Sequence, residues 1–363
     1  MPTMRMTMRA LLLTTTLAVA LAGTRAVAQE ASEPRNLAVR VVTETERVPL
    51  GYSVVAAPDL ALERFTGAGG AVVLPIPAAG PVRLRVKRLG FTPKDTTVLV
   101  SGARSQSVTI ALARVSFRLQ EVRVVAWPPC EAPGIGPGTE ETLRGIVDQL
   151  RQNAERYRLL IATYPFLYTM QRQFGERMPD GSYVASAQDV IPVSGTPEWT
   201  YRPGTLVARE PRSTQWIMRI PQLSDLAEDA FVDNHCFHVA GLEDKEGRPL
   251  LRLDAVAAAA LRETDVNVSV WLDPTDYQLR HATFTLTKPP RAIPGLVSVT
   301  SSVRYREVIP FVPVMERLVA ENVHQTRDRR ATVRRVLIER QTIQDLIYRN
   351  ARPDALVRDS LVP

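Results

Sequence analysis

The chain has 363 residues, of which 45% are hydrophobic and 23% charged, and its formal net charge is +7. The basic residues are scattered and no nucleic-acid-reading motif occurs, so nucleic acid is not an expected partner. Lysine occurs only four times, so nearly all the positive charge comes from arginine.

Residues 1–28 predict a signal peptide. Arg5 and Arg9 precede an apolar run of fourteen residues, Ala10–Gly23, and the "AVA" that follows has the small-x-small pattern of a cleavage site. The run is shorter than the roughly twenty residues that cross a bilayer, so no transmembrane segment is expected in the mature chain. Thr24 stands where a lipoprotein box needs cysteine. We therefore expect an exported protein that is periplasmic, outer-membrane associated or secreted.

Residues 36–126 predict a small antiparallel β-sandwich. Short strands follow one another between Pro, Gly and Asp turns, without a helical-period run, and the last strand is predicted over 117–125. In "VRLRVK", residues 82–87, apolar and basic side chains alternate. This alternation predicts a strand with one buried and one wet face.

The segment "TGAGGAVVLPIPAAGPVRLRVKRLGFTP", residues 66–93, resembles the carboxypeptidase regulatory-like domain, a transthyretin-type sandwich. It has that family's glycine turn, proline-glycine turn, alternating strand and Gly-aromatic pair, here Gly90-Phe91. The resemblance implies a fold that is often described as carbohydrate-binding-like. Aromatic residues for stacking on sugars are few in this part of the chain. No histidine is followed by glutamate at the third position, so the zinc carboxypeptidase pattern is missing.

Residues 127–138, "WPPCEAPGIGPG", predict a Pro/Gly hinge between two domains. A helix is predicted over 139–158, with Thr139 as its N-cap. The helix has an apolar stripe that consists of Leu143, Ile146, Val147, Leu150 and Ala154. This stripe must be buried, so a sheet is expected beneath the helix.

Alternating runs from 159 to 342 predict a long antiparallel meander, so that 139–350 forms a helix-plus-β domain followed by a tail at 351–363. The clearest hairpin turns at Asp273-Pro274-Thr275-Asp276. A helix followed by such a meander is similar to the half-barrels of the periplasmic lipoprotein carrier family. That resemblance implies a cavity between helix and sheet that accepts an acyl chain. The expected fold class is mainly β: an antiparallel sandwich plus an antiparallel sheet or half-barrel with a packed helix.

The two cysteines, Cys130 and Cys236, are predicted to form a disulfide, because exported chains mature in oxidising compartments. Cys236 lies within "NHCFH". A strand over 231–240 would place Cys236 and His238 on one face and His235 on the other. Histidines on opposite faces cannot share a metal ion, so no metal site is predicted.

The sequence contains no recognised catalytic motif. There is no Gly-x-Ser-x-Gly elbow, and "GAGG" at 67–70 lacks the Gly-Lys-Ser/Thr ending of a phosphate loop. Three groups of acidic residues could supply paired carboxylates, but each has a structural explanation. Glu140/Glu141 lie at a helix start, Asp225/Glu228/Asp229 on a short helix and Glu243/Asp244 in a loop. We expect no catalytic residue and no cofactor.

Tyr164, Phe166 and Tyr168 share one face of the run "ATYPFLYTM" if that run is extended. They can form the floor of a groove for an apolar or sugar ligand, or pack beneath the predicted helix. The prediction is a non-catalytic exported envelope protein that binds or assembles with an unidentified envelope protein, lipid or glycan. The alternatives are a periplasmic carrier of a hydrophobic ligand and a carbohydrate-binding protein.

Overall fold

The structure is a computed structural model that describes residues 35–117, 129–136, 138–209, 216–327 and 332–349. The predicted signal peptide, the strand predicted over 117–125 beyond its first residue, and the predicted tail lie outside the described residues. Within the described residues the chain is mainly β, as predicted, with antiparallel sheets and one long helix.

In the N-terminal part, the described residues up to 117 form seven strands: β1 Arg35–Thr43, β2 Val54–Ala57, β3 Leu62–Phe65, β4 Ala71–Ile76, β5 Gly80–Lys87, β6 Lys94–Val100 and β7 Ser105–Leu112. They make two sheets, ordered β4-β1-β7 and β3-β2-β5-β6. All neighbours are antiparallel except β1 and β7, which pair in parallel. The long stretch of chain between them supplies the crossover that a parallel pair requires.

The two N-terminal sheets bury a common apolar core between them. On β5, Leu84 and Val86 are fully buried, whereas Arg83 and Arg85 are exposed, as the alternation in "VRLRVK" predicts. Arg85 pairs with Asp95 on the neighbouring strand β6. The basic side chains of this strand therefore belong to the solvated face of a sheet.

In the C-terminal part, the described residues form two α-helices and eleven strands: α1 Glu141–Thr163, β8 Phe166–Arg177, β9 Tyr183–Ser194, β10 Val207–Arg209, β11 Trp216–Met218, α2 Asp229–Val232, β12 His235–Lys245, β13 Arg248–Ala257, β14 Val266–Leu272, β15 Leu279–Leu286, β16 Leu296–Ile309, β17 Val312–Arg327 and β18 Thr332–Tyr348. Nine strands form one sheet, ordered β12-β13-β14-β15-β16-β17-β18-β8-β9, and β10 pairs with β11. Because β8 pairs with the last strand, the sheet joins the beginning of this part to its end.

Helix α1 covers one face of the nine-stranded sheet, which we call the inner face. Ile146 and Leu150 of the predicted stripe are buried in one core with Leu251 and Val268 from the sheet. The apolar stripe therefore finds the sheet that its burial requires, and this burial stabilises both elements.

The predicted ends of the helix were wrong. The N-cap residue is Glu140, without a side-chain capping bond, and Thr139 lies outside the helix. The Arg144 side chain donates to the carbonyl oxygens of Gly136 and Thr139, which holds the preceding turn in place of a cap. The helix also continues to Thr163, through residues that the sequence predicts as the beginning of a strand. It does so because the apolar side chains beyond 158 continue its buried face.

The sandwich is attached to the helix and the sheet by a further apolar core. Val54 and Phe65 of the sandwich are buried with Leu160 of α1 and Val312 of β17. A hydrogen bond also joins the sandwich to the helix: the backbone N–H of Gly90 donates to Gln149 Oε1 at 2.8 Å. Among the described residues, no helix is both long and apolar enough to span a membrane.

Candidate functional site

A cavity of about 590 Å³ lies on the inner face of the nine-stranded sheet. Its floor is formed by strands β8, β9, β16, β17 and β18. Its roof is residues 195–199, which follow β9, and residues 217–223, which comprise the end of β11 and the segment after it. The volume falls within the roughly 300–1,000 Å³ typical of small-molecule sites.

The cavity is lined largely by apolar side chains. The floor contributes Met170, Ile191, Val303, Leu318 and Ile343, and the roof contributes Trp199, Ile217, Met218, Ile220 and Leu223. Alternation along each strand produces this lining: on β17, Leu318 and Ala320 face the cavity, while Val319 between them faces the opposite side.

The floor changes in polarity from one row of paired residues to the next. Met170 pairs in register with Ile343 on β18 and Ile191 on β9, which makes an apolar row. Two residues further along β8, Arg172 pairs with Gln341. The cavity therefore has an apolar region and an adjacent polar region, which is the arrangement that an amphipathic ligand requires.

Two tyrosines place hydroxyl groups at the cavity wall. Tyr157 of α1 donates a hydrogen bond to the carbonyl oxygen of Gly195 at 2.9 Å, which ties the helix to the roof. Burial raises the pKa of both the Tyr157 and the Tyr168 hydroxyl, that of Tyr168 to about 12. Both side chains therefore stay neutral near pH 7 and act as amphipathic wall residues.

Arg172 on the floor is neutralised by a neighbour. It donates from Nε and Nη2 to the two carboxylate oxygens of Asp189 at 2.8 and 2.5 Å. This hydrogen bond raises the pKa of Arg172 and lowers that of Asp189, so the pair stays ionised near pH 7. As a bidentate pair it offers little net charge to a ligand.

The three aromatic residues predicted as a groove floor lie in different places. Tyr164 is the C-cap of α1, because the helix extends further than predicted. Phe166 begins β8 and is 2% exposed, and its ring contacts that of Tyr348 edge-on, 5.8 Å away. Tyr168 lines the cavity. The two alternatives for this group were packing in the core and lining a groove. Phe166 packs in the core, whereas Tyr168 lines the cavity.

Sequence patterns did not identify the roof. Trp199 and Arg219 line the cavity, and the Arg219 guanidinium lies over the Trp199 ring, 5.7 Å from its centre. Both residues sit in irregular backbone next to the short pair β10–β11. The strand predicted around 215–220 indicated apolar burial but not the surface against which it is buried.

The predicted disulfide between Cys130 and Cys236 is present. Cys236 and His238 alternate with His235 on β12, and 229–232 is a helical turn rather than the start of the predicted strand. His235 is fully buried, with Nδ1 at 2.7 Å from the Phe231 carbonyl oxygen and Nε2 at 3.0 Å from that of Val266. Burial lowers the pKa of His235, and both of its ring nitrogens already contact the protein.

The remaining candidate groups hold local structure. Asp225 is buried and accepts the backbone N–H groups of Tyr201 and Gln222 at 3.0 and 2.8 Å. Burial raises the pKa of Asp225, and these hydrogen bonds oppose the rise. Glu228 pairs with Arg158. Within the described ranges there is no group of three or more His, Cys, Asp or Glu residues that could hold a metal ion.

Comparison with known proteins identifies no family. No family model matches the chain, and no curated protein matches it. Three solved structures are similar over 58–59% of this chain at 12–14% identity, with TM-scores of 0.30–0.31. They are a DUF1329 family protein from Desulfovibrio piger, a putative outer membrane lipoprotein-sorting protein domain from Vibrio parahaemolyticus and a LolA superfamily protein from Nitrosomonas europaea. The chain covers 98%, 94% and 99% of them, respectively. Likenesses at these TM-scores establish neither family membership nor a ligand.

Proposed function

We propose that this protein is a non-catalytic carrier or binding protein of the cell envelope, and that it holds an apolar or amphipathic ligand, such as an acyl chain, in the cavity on the inner face of its sheet. The observation that carries the proposal is the cavity of about 590 Å³ with apolar side chains on both floor and roof. The predicted signal peptide supports a location in the envelope.

The free energy of burial supports a chain-like ligand. Each methylene group that leaves water contributes about 0.8 kcal/mol. Ten carbons thus contribute roughly 8 kcal/mol, which exceeds the cost of immobilising a ligand when that cost lies toward the lower end of its range of about 4–15 kcal/mol. The chain alone then gives weak affinity. Polar contacts at the adjacent row of the floor would add to this.

The cavity favours the carrier over the other two functions considered. A sugar presents hydroxyl groups all around its ring and requires many hydrogen-bonding partners, whereas the row formed by Met170, Ile191 and Ile343 offers none from its side chains. An assembly module requires an exposed docking surface rather than a cavity. The apolar side chains that face each other from floor and roof are most simply explained by a ligand with an apolar part.

Two measurements test the proposal. The first is mass spectrometry of an organic extract of the purified protein, which we expect to contain co-purified lipid. The second is fluorescence titration with a dansyl-labelled fatty acid, using Ala320→Phe to fill the cavity. Its matched control is Val319→Phe, the next residue on the same strand, which faces the opposite side of the sheet.

We expect Ala320→Phe to weaken binding by about tenfold or more, since a ring in the cavity displaces ligand volume. Val319→Phe should bind as the wild type does. Circular dichroism checks that both variants are folded. An extract free of lipid, together with no saturable binding by the wild type, would exclude the proposed function.

A further inference from the structure

Three charged side chains that line the cavity form no salt bridge with another of the residues that the structure describes. They are Arg219 on the roof and Glu339 on the floor, both half-buried, and Glu198 on the roof, which is exposed to solvent. The pair formed by Arg172 and Asp189 differs from them, because each neutralises the other. The cavity thus presents both signs of charge to whatever it binds.

Glu339 is the negative group on the floor. It is half-buried on β18, where its carboxylate accepts a hydrogen bond from Gln341 Nε2 at 2.8 Å. The Gln341 amide is neutral, and Arg172, which attracts the Glu339 carboxylate, is already paired with Asp189, so the three ionised groups together keep one negative charge. Removing a carboxylate from water beside an apolar ligand is costly unless the ligand brings a cation to it.

Arg219 is the positive group on the roof. Its guanidinium lies over the Trp199 ring and is half-buried. A guanidinium presents planar donors that match the oxygens of a phosphate or a carboxylate. The remaining donors of Arg219 are therefore suited to an anionic group of a ligand whose chain occupies the apolar floor.

We infer that the ligand is a zwitterionic amphiphile, with an acidic group that binds Arg219 and an ammonium group that binds Glu339. This inference rests on the proposed function and names the chemical class of its ligand. A plain fatty acid would satisfy Arg219 but leave the Glu339 carboxylate against its chain. A purely cationic amphiphile would leave Arg219 without an anion. Only a headgroup that carries both charges pairs both residues.

The test compares headgroups on one acyl chain, by displacement of the dansyl-labelled fatty acid at pH 7. The ligands are lysophosphatidylethanolamine, its N-acetylated derivative, lysophosphatidylglycerol and monoacylglycerol. We expect the first to bind about tenfold more tightly than the second, which keeps the phosphate but lacks the ammonium charge. Monoacylglycerol, which has no charge, should bind most weakly.

Two variants test which residue binds which charged group of the ligand. Glu339→Gln should abolish the preference for lysophosphatidylethanolamine over its N-acetylated form. Arg219→Gln should weaken all three phosphate-bearing ligands towards the affinity of monoacylglycerol. The controls are Glu321→Gln, which belongs to an exposed ion pair with Arg177, and Arg340→Gln, whose guanidinium lies over the Tyr183 ring. Neither control residue lines the cavity, so both should keep the wild-type order of affinities.

The wild-type ranking tests the inference even where a variant fails to fold. If the four headgroups bind the wild type with equal affinity, or if the N-acetylated derivative binds as tightly as its parent, the inference is overturned while the proposed function stands. If no amphiphile binds, the proposed function fails and the inference fails with it.

Discussion

Arg156 on α1 donates a hydrogen bond from Nε to the carbonyl oxygen of Phe311 at 2.7 Å, although its side chain is 2% exposed. Its Nη2 donates to the carbonyl oxygen of Tyr52 at 2.5 Å. One side chain therefore joins the helix, the sandwich and the turn between β16 and β17. Burial lowers the pKa of Arg156, and the nearby Arg88 lowers it further.

Arg156→Met should destabilise the protein by roughly 2–4 kcal/mol, because two buried carbonyl oxygens lose their donor. Urea unfolding followed by circular dichroism measures the change. Arg85→Met is the matched control: its pair with Asp95 is half-exposed and contributes little. If the two variants unfold at the same urea concentration, the hydrogen bonds of Arg156 do not stabilise the contact between helix, sandwich and turn.

Replacing both Cys130 and Cys236 with serine should lower the free energy of unfolding by about 4 kcal/mol. The crosslinked residues are 106 positions apart, so the disulfide restricts a long loop of the unfolded chain. The urea midpoint of the wild type should fall when dithiothreitol is added, whereas that of the double variant should not move. Equal midpoints for the oxidised wild type and the variant would contradict this prediction.

Gly70→Ala should destabilise the sandwich by roughly 1–3 kcal/mol. Gly70 has φ +74°, and a Cβ atom there would lie 2.7 Å from the carbonyl oxygen of Val41. Gly102→Ala is the control, because a Cβ at that exposed position meets nothing within 4 Å. Thermal unfolding of the two variants should differ clearly, and a stable Gly70→Ala protein would show that this turn adjusts without strain.

Two aspartates of one turn should affect acid stability with opposite signs. At Asp273, burial raises the pKa, but hydrogen bonds from Thr275 and the charge of Arg280 outweigh burial, so the net pKa is lowered. The ionised Asp273 side chain therefore stabilises the folded protein above the ordinary aspartate pKa, and this stabilisation is lost as pH falls. At Asp276, burial raises the pKa, so folding favours the protonated form and stability is gained as pH falls.

Asp273→Asn should therefore lose less stability than the wild type between pH 7 and pH 3, and Asp276→Asn should lose more. Urea midpoints across this range measure the difference. Asparagine keeps a side-chain carbonyl oxygen, so it retains an acceptor while removing the charge. Parallel pH profiles for the two variants would contradict the assignment of opposite shifts.

Periodicity in the sequence determined much of this protein. Alternation along β5 and along the hairpin around Asp273 sets which side chains each strand buries, because neighbouring side chains of a strand point to opposite faces. The spacing of Ile146, Val147 and Leu150 likewise requires a sheet beneath α1. Two cysteines in a chain predicted to be exported were enough to predict their disulfide. All of these features depend on local geometry or on composition.

The tertiary structure alone decided which surface becomes a cavity. Trp199 and Arg219 lie in irregular backbone with no period, so only its path across the sheet brings them over Met170 and Ile343. Likewise, Thr139 satisfies the sequence rule for an N-cap, but bonds from Arg144 hold the turn before the helix instead. Contacts between residues far apart in the chain arise from the packing of whole elements, and no short-range pattern encodes them.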